Sequence, residues 1–378
     1  MRNILVYGLG QSGKAVGRLF EGENVLYYDD FVSGEGVLTL GEAKEFAAKT
    51  DLMVVSPAVP SNSPLCVFYR EKGVPVVGEF ELAVRRTRAK IAAVTGTNGK
   101  TSVCQLISQG LNFGGIEHVL AGNIGVPFSE HCDKLTENGL AVLEASSFQL
   151  ETFHGFRPFV AAVTNITPDH LDRHKSMEGY IKAKQNICLW QNRNQFAVLN
   201  GDDPVTRRYI KSGGRPLYFG GERGFFCFAE GDKIFCDGSE IDISAITGKT
   251  KGFVSNMLCA ASVLTVLGVG AKQIEEAFGL FRRDRHRVEH VGTIAGVDFF
   301  DDSKATNVAA ACDSVNSFQN VCVILGGSDK GYDFGEFFEK AKPKYACAFG
   351  QTKDKIFAAA QRNGFYNIDV ADDLMSAT

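Results

Sequence analysis

Short apolar runs recur along the chain, and each passes through a Gly-rich or polar turn into a helical pattern. The runs are Ile4–Tyr7, Leu52–Val55, Ile91–Val94, Ala141–Leu143, Val160–Val163, Phe196–Leu199, Val321–Leu325 and Ala346–Phe349. Apolar stretches this short, alternating with amphipathic segments, predict an α/β fold with parallel sheets. Between 215 and 250 the pattern shortens to Leu217–Phe219, Gly224–Phe228, Lys233–Cys236 and Ile241–Ile243, which predicts a hairpin excursion. Two basic stretches punctuate the chain: Arg85-Arg86-Thr87-Arg88-Ala89-Lys90, read as a linker, and Arg282-Arg283-Asp284-Arg285-His286-Arg287 after the predicted helix Gln273–Phe281. They put boundaries near 88 and 284.

A chain of 378 residues exceeds one ordinary core and calls for two or three domains. Lys+Arg number 40 and Asp+Glu 44, a net charge of −4, which lacks the basic excess of a general nucleic-acid binder. No uninterrupted apolar run reaches the roughly 18 residues of a membrane helix. Met1–Val6 enters a strand at once, so no secretory leader is expected. The ten cysteines are scattered without a C-x-x-C pair. They read as reduced core residues of a cytoplasmic protein, with no structural zinc.

Two loops carry phosphate chemistry. Gly8-Leu9-Gly10-Gln11-Ser12-Gly13 follows the strand Asn3–Tyr7 and opens a helix predicted over Lys14–Phe20. Asp29 and Asp30 end the next strand roughly 20 residues on, where a ribose-binding acid belongs. Glycines there let backbone approach a diphosphate at a helix N-terminus, so the loop reads as dinucleotide or nucleotide-sugar binding. Thr95-Gly96-Thr97-Asn98-Gly99-Lys100-Thr101 follows Ile91–Val94 and ends as a P-loop does. Its amides cradle phosphate, Lys100 reaches the β/γ-phosphates and the Thr101 hydroxyl meets Mg²⁺. The usual first glycine falls at Val94, so the loop is a variant.

A P-loop needs acids for its metal. Glu144 ends the strand Ala141–Leu143, and Asp169, His170, Asp172, Arg173 and His174 cluster after Val160–Val163. His170 is a candidate metal ligand, while Asp169 also suits a helix cap. For Asp202-Asp203 a turn or cap is as good a reading as a functional one.

These segments together resemble the Mur ligases of peptidoglycan synthesis. Thr95–Thr101 looks like their ATP loop. Glu144-Ala145-Ser146-Ser147-Phe148-Gln149-Leu150 and Asn165-Ile166-Thr167-Pro168-Asp169-His170-Leu171-Asp172-Arg173-His174 look like two further signatures. His286-Arg287-Val288-Glu289 and Asp302-Ser303-Lys304-Ala305-Thr306-Asn307 look like the entry to their third domain. The Ser-Ser-Phe-Gln-Leu and Asp-Ser-Lys-Ala-Thr-Asn forms are those of the branch that adds D-glutamate. The resemblance is collinear from Gly8 to about Lys330.

It implies three domains: a Rossmann-like UDP-sugar domain over 1–88, a P-loop-type ATPase domain over 89–283, and a Rossmann-like amino-acid-binding domain over 284–378. It implies ATP-dependent ligation of D-glutamate to UDP-N-acetylmuramoyl-L-alanine through an acyl phosphate, by a cytoplasmic monomer. Gly8, Gly10, Gln11, Ser12 and Gly13 would then hold the UDP diphosphate, with Asp29 near the uridine and Asn123 helping to hold the sugar nucleotide. ATP would lie on Gly96, Thr97, Asn98, Gly99, Lys100 and Thr101, with Arg287 on its phosphates, Asp302 at its ribose and Asn256 on the adenine side. Thr101 and Glu144 would hold one Mg²⁺, and His170 with a carbamylated lysine the second. The Tyr-x-x-x-Lys pattern from Tyr180 selects Lys184, although from the residues alone Lys182 and Lys184 read as solvated helix lysines. Lys304, Thr306 and Lys330 would take the D-glutamate carboxylates.

The chain departs from the family twice. Gly252 and Phe253 replace a His-Asn pair before Asn256, so other residues are expected to share the adenine contact. The Ser-Pro-Ala loop that closes over D-glutamate does not occur before Thr378, and Asp372–Thr378 reads as a cap and a single turn. The third domain is therefore expected to be incomplete at its end. A catalytically incomplete UDP-sugar- and ATP-binding form, a folylpolyglutamate-type ligase and, on Gly8–Gly13 alone, an NAD oxidoreductase stand as alternatives.

Overall fold

The computed structural model describes residues 1–246, 249–329 and 331–378. Two compact units form, Met1–Ala245 with Ser255–Phe281, and Ile246–Val254 with Arg282–Thr378.

The first unit holds two sheets. The N-terminal one is built from β1 (Asn3–Tyr7), β2 (Asn24–Tyr28), β3 (Leu52–Val55) and β4 (Val76–Gly78), parallel in the order β2-β1-β3-β4. Helices α1 (Gln11–Leu19), α2 (Leu40–Phe46), α3 (Pro64–Glu71) and α4 (Glu79–Arg86) alternate with the strands. Both faces are buried. Leu5, Tyr7, Met53 and Val55 enter one core, and their alternates Ile4, Val6 and Val54 enter another. Strands sandwiched between helices need continuous apolar runs, which is why these stretches show no in–out alternation. The order reverses between β1 and β3, so the turns after these two strands lie side by side at the carboxyl edge. The helix α1 opens at Gln11, three residues before the expected Lys14, which brings Gln11 and Ser12 into its first turn. The basic stretch expected as a linker is the end of α4 and the start of β5, with only Thr87–Ala89 between them.

The second sheet has nine strands in the order β13-β12-β11-β10-β9-β8-β5-β7-β6. They are β5 (Lys90–Thr95), β6 (His118–Gly122), β7 (Leu140–Glu144), β8 (Val160–Val163), β9 (Phe196–Asn200), β10 (Arg215–Gly220), β11 (Cys227–Glu230), β12 (Lys233–Cys236) and β13 (Ser239–Asp242). The last three form an antiparallel meander at the edge, the predicted excursion. Its first strand begins at Cys227 and not at Gly224, because Gly224 takes a left-handed φ of 104° before the strand. The accompanying helices are α5 (Lys100–Phe113), α6 (Ser147–Leu150), α7 (Leu171–His174), α8 (Met177–Gln185), α9 (Pro204–Tyr209), α10 (Lys251–Val266) and α11 (Ala271–Leu280). Central β5 pairs with β7 and β8, so the turns after all three strands share one edge.

In the second unit β14 (Glu289–Ile294) and β15 (Val297–Asp301) make an antiparallel pair. The strands β16 (Cys322–Gly326), β17 (Tyr345–Phe349) and β18 (Ile368–Val370) form a parallel sheet. It carries α12 (Val308–Asn316), α13 (Gly335–Lys340), α14 (Lys353–Arg362) and α15 (Leu374–Ala377). The last of these is a single turn capped by Asp373. Among the described residues no helix is long and apolar enough to cross a membrane.

Candidate active site

The turn Thr95–Thr101 leaves β5 and enters α5 at Lys100. Gly99 takes φ of 84°, and a Cβ there would lie 2.1 Å from the Asn256 side-chain oxygen, so the loop and the first turns of α10 need glycine at that point. The segment after β8 pins the loop. Asn98 N donates to Asn165 Oδ1 at 2.9 Å, while Asn165 Nδ2 and Thr164 Oγ1 donate to the Asn98 carbonyl at 3.1 and 2.6 Å. Thr97 Oγ1 donates to the Thr167 carbonyl at 3.1 Å, accepts from Thr167 N at 3.0 Å and meets Tyr180 Oη at 3.1 Å. A loop fixed this way presents a helix N-terminus to an anion without paying to order itself on binding. Lys100 arches over it, its Nζ donating to the carbonyls of Gly96 at 3.0 Å and Thr97 at 2.9 Å.

One turn away, Thr101 Oγ1 donates to Glu144 Oε2 at 2.9 Å, and Asn123 Nδ2 donates to Glu144 Oε1 at 2.7 Å. Glu144 is buried at the end of β7. Lys184 is 1 % exposed, and its Nζ donates to the Gly96 carbonyl at 2.6 Å and sits 4.6 Å from the Tyr180 ring centre. Burial first, then the charge of Lys100, hold the Lys184 amine well below the usual lysine range, against the pull of Asp169 and Glu144. The solvated reading therefore fits Lys182, exposed and paired with Glu178, but not Lys184. His170 is half exposed at φ 52°, its ring edge against Phe148 and its Nε2 3.7 Å from Asp169 Oδ2.

This donor set suits a hard cation. Hydroxyl and carboxylate oxygens converge at Thr101 and Glu144, and the buried Thr167 Oγ1 has no hydrogen-bond partner among the described residues. Lys184 fits such an ion only if its nitrogen becomes a carbamate, and a neutral amine is the form that reacts with CO₂.

The other glycine-rich loop, Gly8–Gly13, sits on the N-terminal sheet. Gly8 takes φ of 103°, and Ser56 Oγ, from the turn after β3, donates to its carbonyl at 3.0 Å. A Cβ on Gly13 would fall 1.8 Å from the Gly8 carbonyl oxygen, so α1 packs this closely only with glycine. Gly10 is the N-cap, and nothing crowds its Cβ position. Asp29 braces this loop: it accepts from Leu9 N at 2.7 Å, Phe31 N at 2.9 Å and Val32 N at 3.2 Å. Burial alone would raise its pKa, but the three amides lower it on balance. Asp30 accepts from the hydroxyls of Tyr7 and Tyr28; burial and then that bond push Tyr28 up to about 12. Asp202 and Asp203 take the turn and cap reading, accepting from Gly221 N and Thr206 N.

In the second unit, burial raises the Asp302 pKa while it accepts from Val288 N at 3.0 Å and from the Ser314 hydroxyl. Arg287 Nε is buried without a hydrogen-bond partner among the described residues. Lys304 and Thr306 are exposed beside each other, and Lys330 lies outside the described residues. Gly252, one of the two departures, donates its N–H to Asp313 Oδ1 at 3.0 Å, and a Cβ there would meet the same carboxylate at 2.5 Å. Phe253 lies under the Arg283 guanidinium at 4.2 Å.

The structure thus joins Gly96, Thr97, Asn98, Gly99, Lys100, Thr101, Asn123, Glu144 and Lys184 in one connected network, with Asn256 beside Gly99. Thr164 and Ser56 carry no motif by which the sequence could single them out. Each is an ordinary polar residue whose value lies in a partner far along the chain.

The Mur ligase middle domain family matches residues 94–264. A protein of Caldicellulosiruptor bescii described as UDP-N-acetylmuramoylalanine--D-glutamate ligase is 36% identical, over all of this chain and 88% of that protein. One of the same description from Alkaliphilus metalliredigens is 37% identical over 91% of this chain and 76% of its own length. The fold is that of UDP-N-acetylmuramate-alanine ligase from Thermotoga maritima, with a TM-score of 0.62 and 19% identity over 99% and 91% of the two chains. It is also that of the Thermotoga maritima MurF ligase solved with ADP, at 0.60 and 15% over 99% and 86%. The chain belongs to the Mur ligases, in the family of the UDP-N-acetylmuramoylalanine--D-glutamate ligases.

Proposed function

We propose that the chain is an ATP-dependent ligase that joins D-glutamate to UDP-N-acetylmuramoyl-L-alanine in peptidoglycan precursor synthesis. The observation that carries this reading is the convergence of Lys100, Thr101, Glu144 and the buried Lys184 on one P-loop. It is read with three domains bounded near 88 and 284, each span containing its own sheet or sheets. Nine of the ten cysteines are buried and all are free, which suits a reducing cytoplasm.

A carboxylate is a poor acyl donor, and phosphorylation by ATP supplies the leaving group. The anions must be brought together, so cations and amides carry the work. The α5 N-terminus and Lys100 bind the transferring phosphoryl group. Thr101, Glu144, His170 and carbamylated Lys184 would hold Mg²⁺, which supplies Lewis-acid neutralisation of the phosphate oxygens. Arg287, Asp302 and Asn256 take the remaining phosphate, the ribose and the adenine side, and Gly252 and Phe253 stand where the family's His-Asn pair is missing. Gly8, Gly10, Gln11, Ser12 and Gly13 hold the UDP diphosphate. Asp29 acts on that substrate by shaping the loop, since its oxygens are engaged by amides. The D-glutamate carboxylates meet Lys304, Thr306 and Lys330. Its amine attacks the acyl phosphate, and loss of phosphate leaves the amide.

The test is phosphate release in the presence of ATP, Mg²⁺, UDP-N-acetylmuramoyl-L-alanine and D-glutamate. Release that needs both acceptor and amino acid supports the reading; release independent of D-glutamate sinks it.

A further inference from the structure

Arg173 does more than its place between His170 and His174 requires. Its side chain is only 14% exposed. It grips Glu151 with two nitrogens, Nη2 to Oε1 at 2.7 Å and Nε to Oε2 at 3.3 Å, and lies 4.1 Å over the Phe148 ring. The remaining donors cross to the other sheet. Nη1 donates to the carbonyls of Pro57 at 3.1 Å and Ala58 at 3.4 Å, and Nη2 to that of Val59 at 3.3 Å. Those three residues form the turn after β3, whose Ser56 holds the Gly8 carbonyl. Phe148 is shared: the His170 and His174 rings stand 4.9 and 5.6 Å from it, and His174 Nε2 is 2.9 Å from Ser147 Oγ. Turn, ring, Glu151 and Arg173 all line one small cleft.

An ion pair needs none of the three carbonyl contacts. A planar fork with five donors can hold a carboxylate, stack on a ring and still cap a row of carbonyls, which an ammonium cannot do. All five N–H donors of the guanidinium are engaged and four of the five contacts are part-buried, so the linkage restrains both segments. It leads from Glu151 through Arg173 and the 57–59 turn to Ser56 and Gly8, and at its other end to the ring that seats His170.

We infer that Arg173 is a positioning residue that clamps the sugar-nucleotide loop to the ATP-side segment carrying His170, and so sets the reach from the acyl carboxylate to the phosphoryl group. The inference rests on the function proposed above. Reacting atoms tolerate little error, since a displacement of about 1 Å costs on the order of 100-fold in rate.

The test compares wild type with Arg173→Met, Arg173→Lys and Glu151→Gln. Arg173→Met should lose about 100-fold in kcat/KM for UDP-N-acetylmuramoyl-L-alanine, in both kcat and KM, with the KM for ATP within about two-fold of wild type. Arg173→Lys should stay nearer to the Met variant than to wild type, because charge without the fork is insufficient. Glu151→Gln keeps the side-chain volume and should give an intermediate loss, and the double variant should be no worse than Arg173→Met alone. A melting point that drops while both kinetic constants hold would make Arg173 merely structural and overturn the inference, as would full rescue by lysine. Should Arg173→Met not fold, an unaltered Glu151→Gln overturns it. Hydrogen exchange separates this inference from the ligase reading. Faster exchange at residues 56–63 in the variants supports the clamp whether or not wild type uses D-glutamate, and unchanged exchange there rejects it.

Discussion

Lys100 and Lys184 donate to a single acceptor: their side-chain nitrogens lie 3.0 and 2.6 Å from the carbonyl oxygen of Gly96. Two full ammonium charges on one buried carbonyl repel strongly, and Lys184 is the deeper of the two. Burial and the neighbouring Lys100 charge both favour the neutral amine at Lys184, the form that can act as a nucleophile.

Replacing Lys184 should therefore raise stability while abolishing activity. Its folded pKa lies well below the ordinary lysine value, so between the two the unfolded chain holds a proton that the folded chain lacks. Stability then rises with pH across that window and is lost as pH falls through the folded pKa. In metal- and bicarbonate-free buffer, Lys184→Met should unfold at a higher urea midpoint than wild type near pH 7. The gain should shrink as pH approaches about 10.4, the ordinary lysine pKa. A constant difference across pH would contradict a neutral Lys184.

Thr101 has one hydroxyl and Glu144 depends on it. Thr101→Val keeps the shape but strips a buried carboxylate oxygen of its donor. Turnover with Mg²⁺ and ATP should fall about 10- to 100-fold, while Thr101→Ser retains most of it. Titrating Mg²⁺ distinguishes a weakened metal site, which excess ion restores in part, from a misfolded loop, which it does not.

At Gly13 the question is backbone against backbone. The Cβ of alanine would lie 1.8 Å from the Gly8 carbonyl oxygen, and no flexible side chain can yield. Gly13→Ala should cost about 1–3 kcal/mol of stability and weaken UDP-sugar binding. Gly10→Ala, whose Cβ position is open, should leave the melting point nearly unchanged. Thermal melts of the two variants decide it.

Cysteine reactivity offers a check on the packing. Cys322 is the exposed thiol and the other nine are buried. Ellman's reagent should modify one thiol rapidly in the native protein and the rest only on unfolding. Burial raises several of the hidden thiols further, Cys132 to about 11 and Cys188 to about 12. Cys322→Ser should remove the fast phase.

The glycine-rich turns, their strands and the acids at strand ends were legible in the chain, because each is a local pattern: a turn needing glycine, an apolar run, a capping residue. Lys100, Thr101 and Glu144 could be named from such patterns alone. Lys184 could not be told from Lys182 that way, since both lie on α8 and burial depends on which face meets Gly96, 88 residues earlier. Asp29 stands where a ribose-binding acid belongs, and only the fold shows its oxygens taken by the amides of Leu9, Phe31 and Val32. For Arg173 the partners are 114 to 116 residues away, brought within reach by two sheets whose strand orders are set by long-range pairing. The sequence by itself determined which chemical groups are present and the local turns that expose them. Which of those groups share a carbonyl, lose water or change protonation was decided by the tertiary structure, because burial and electrostatic coupling depend on distance in space and not along the chain.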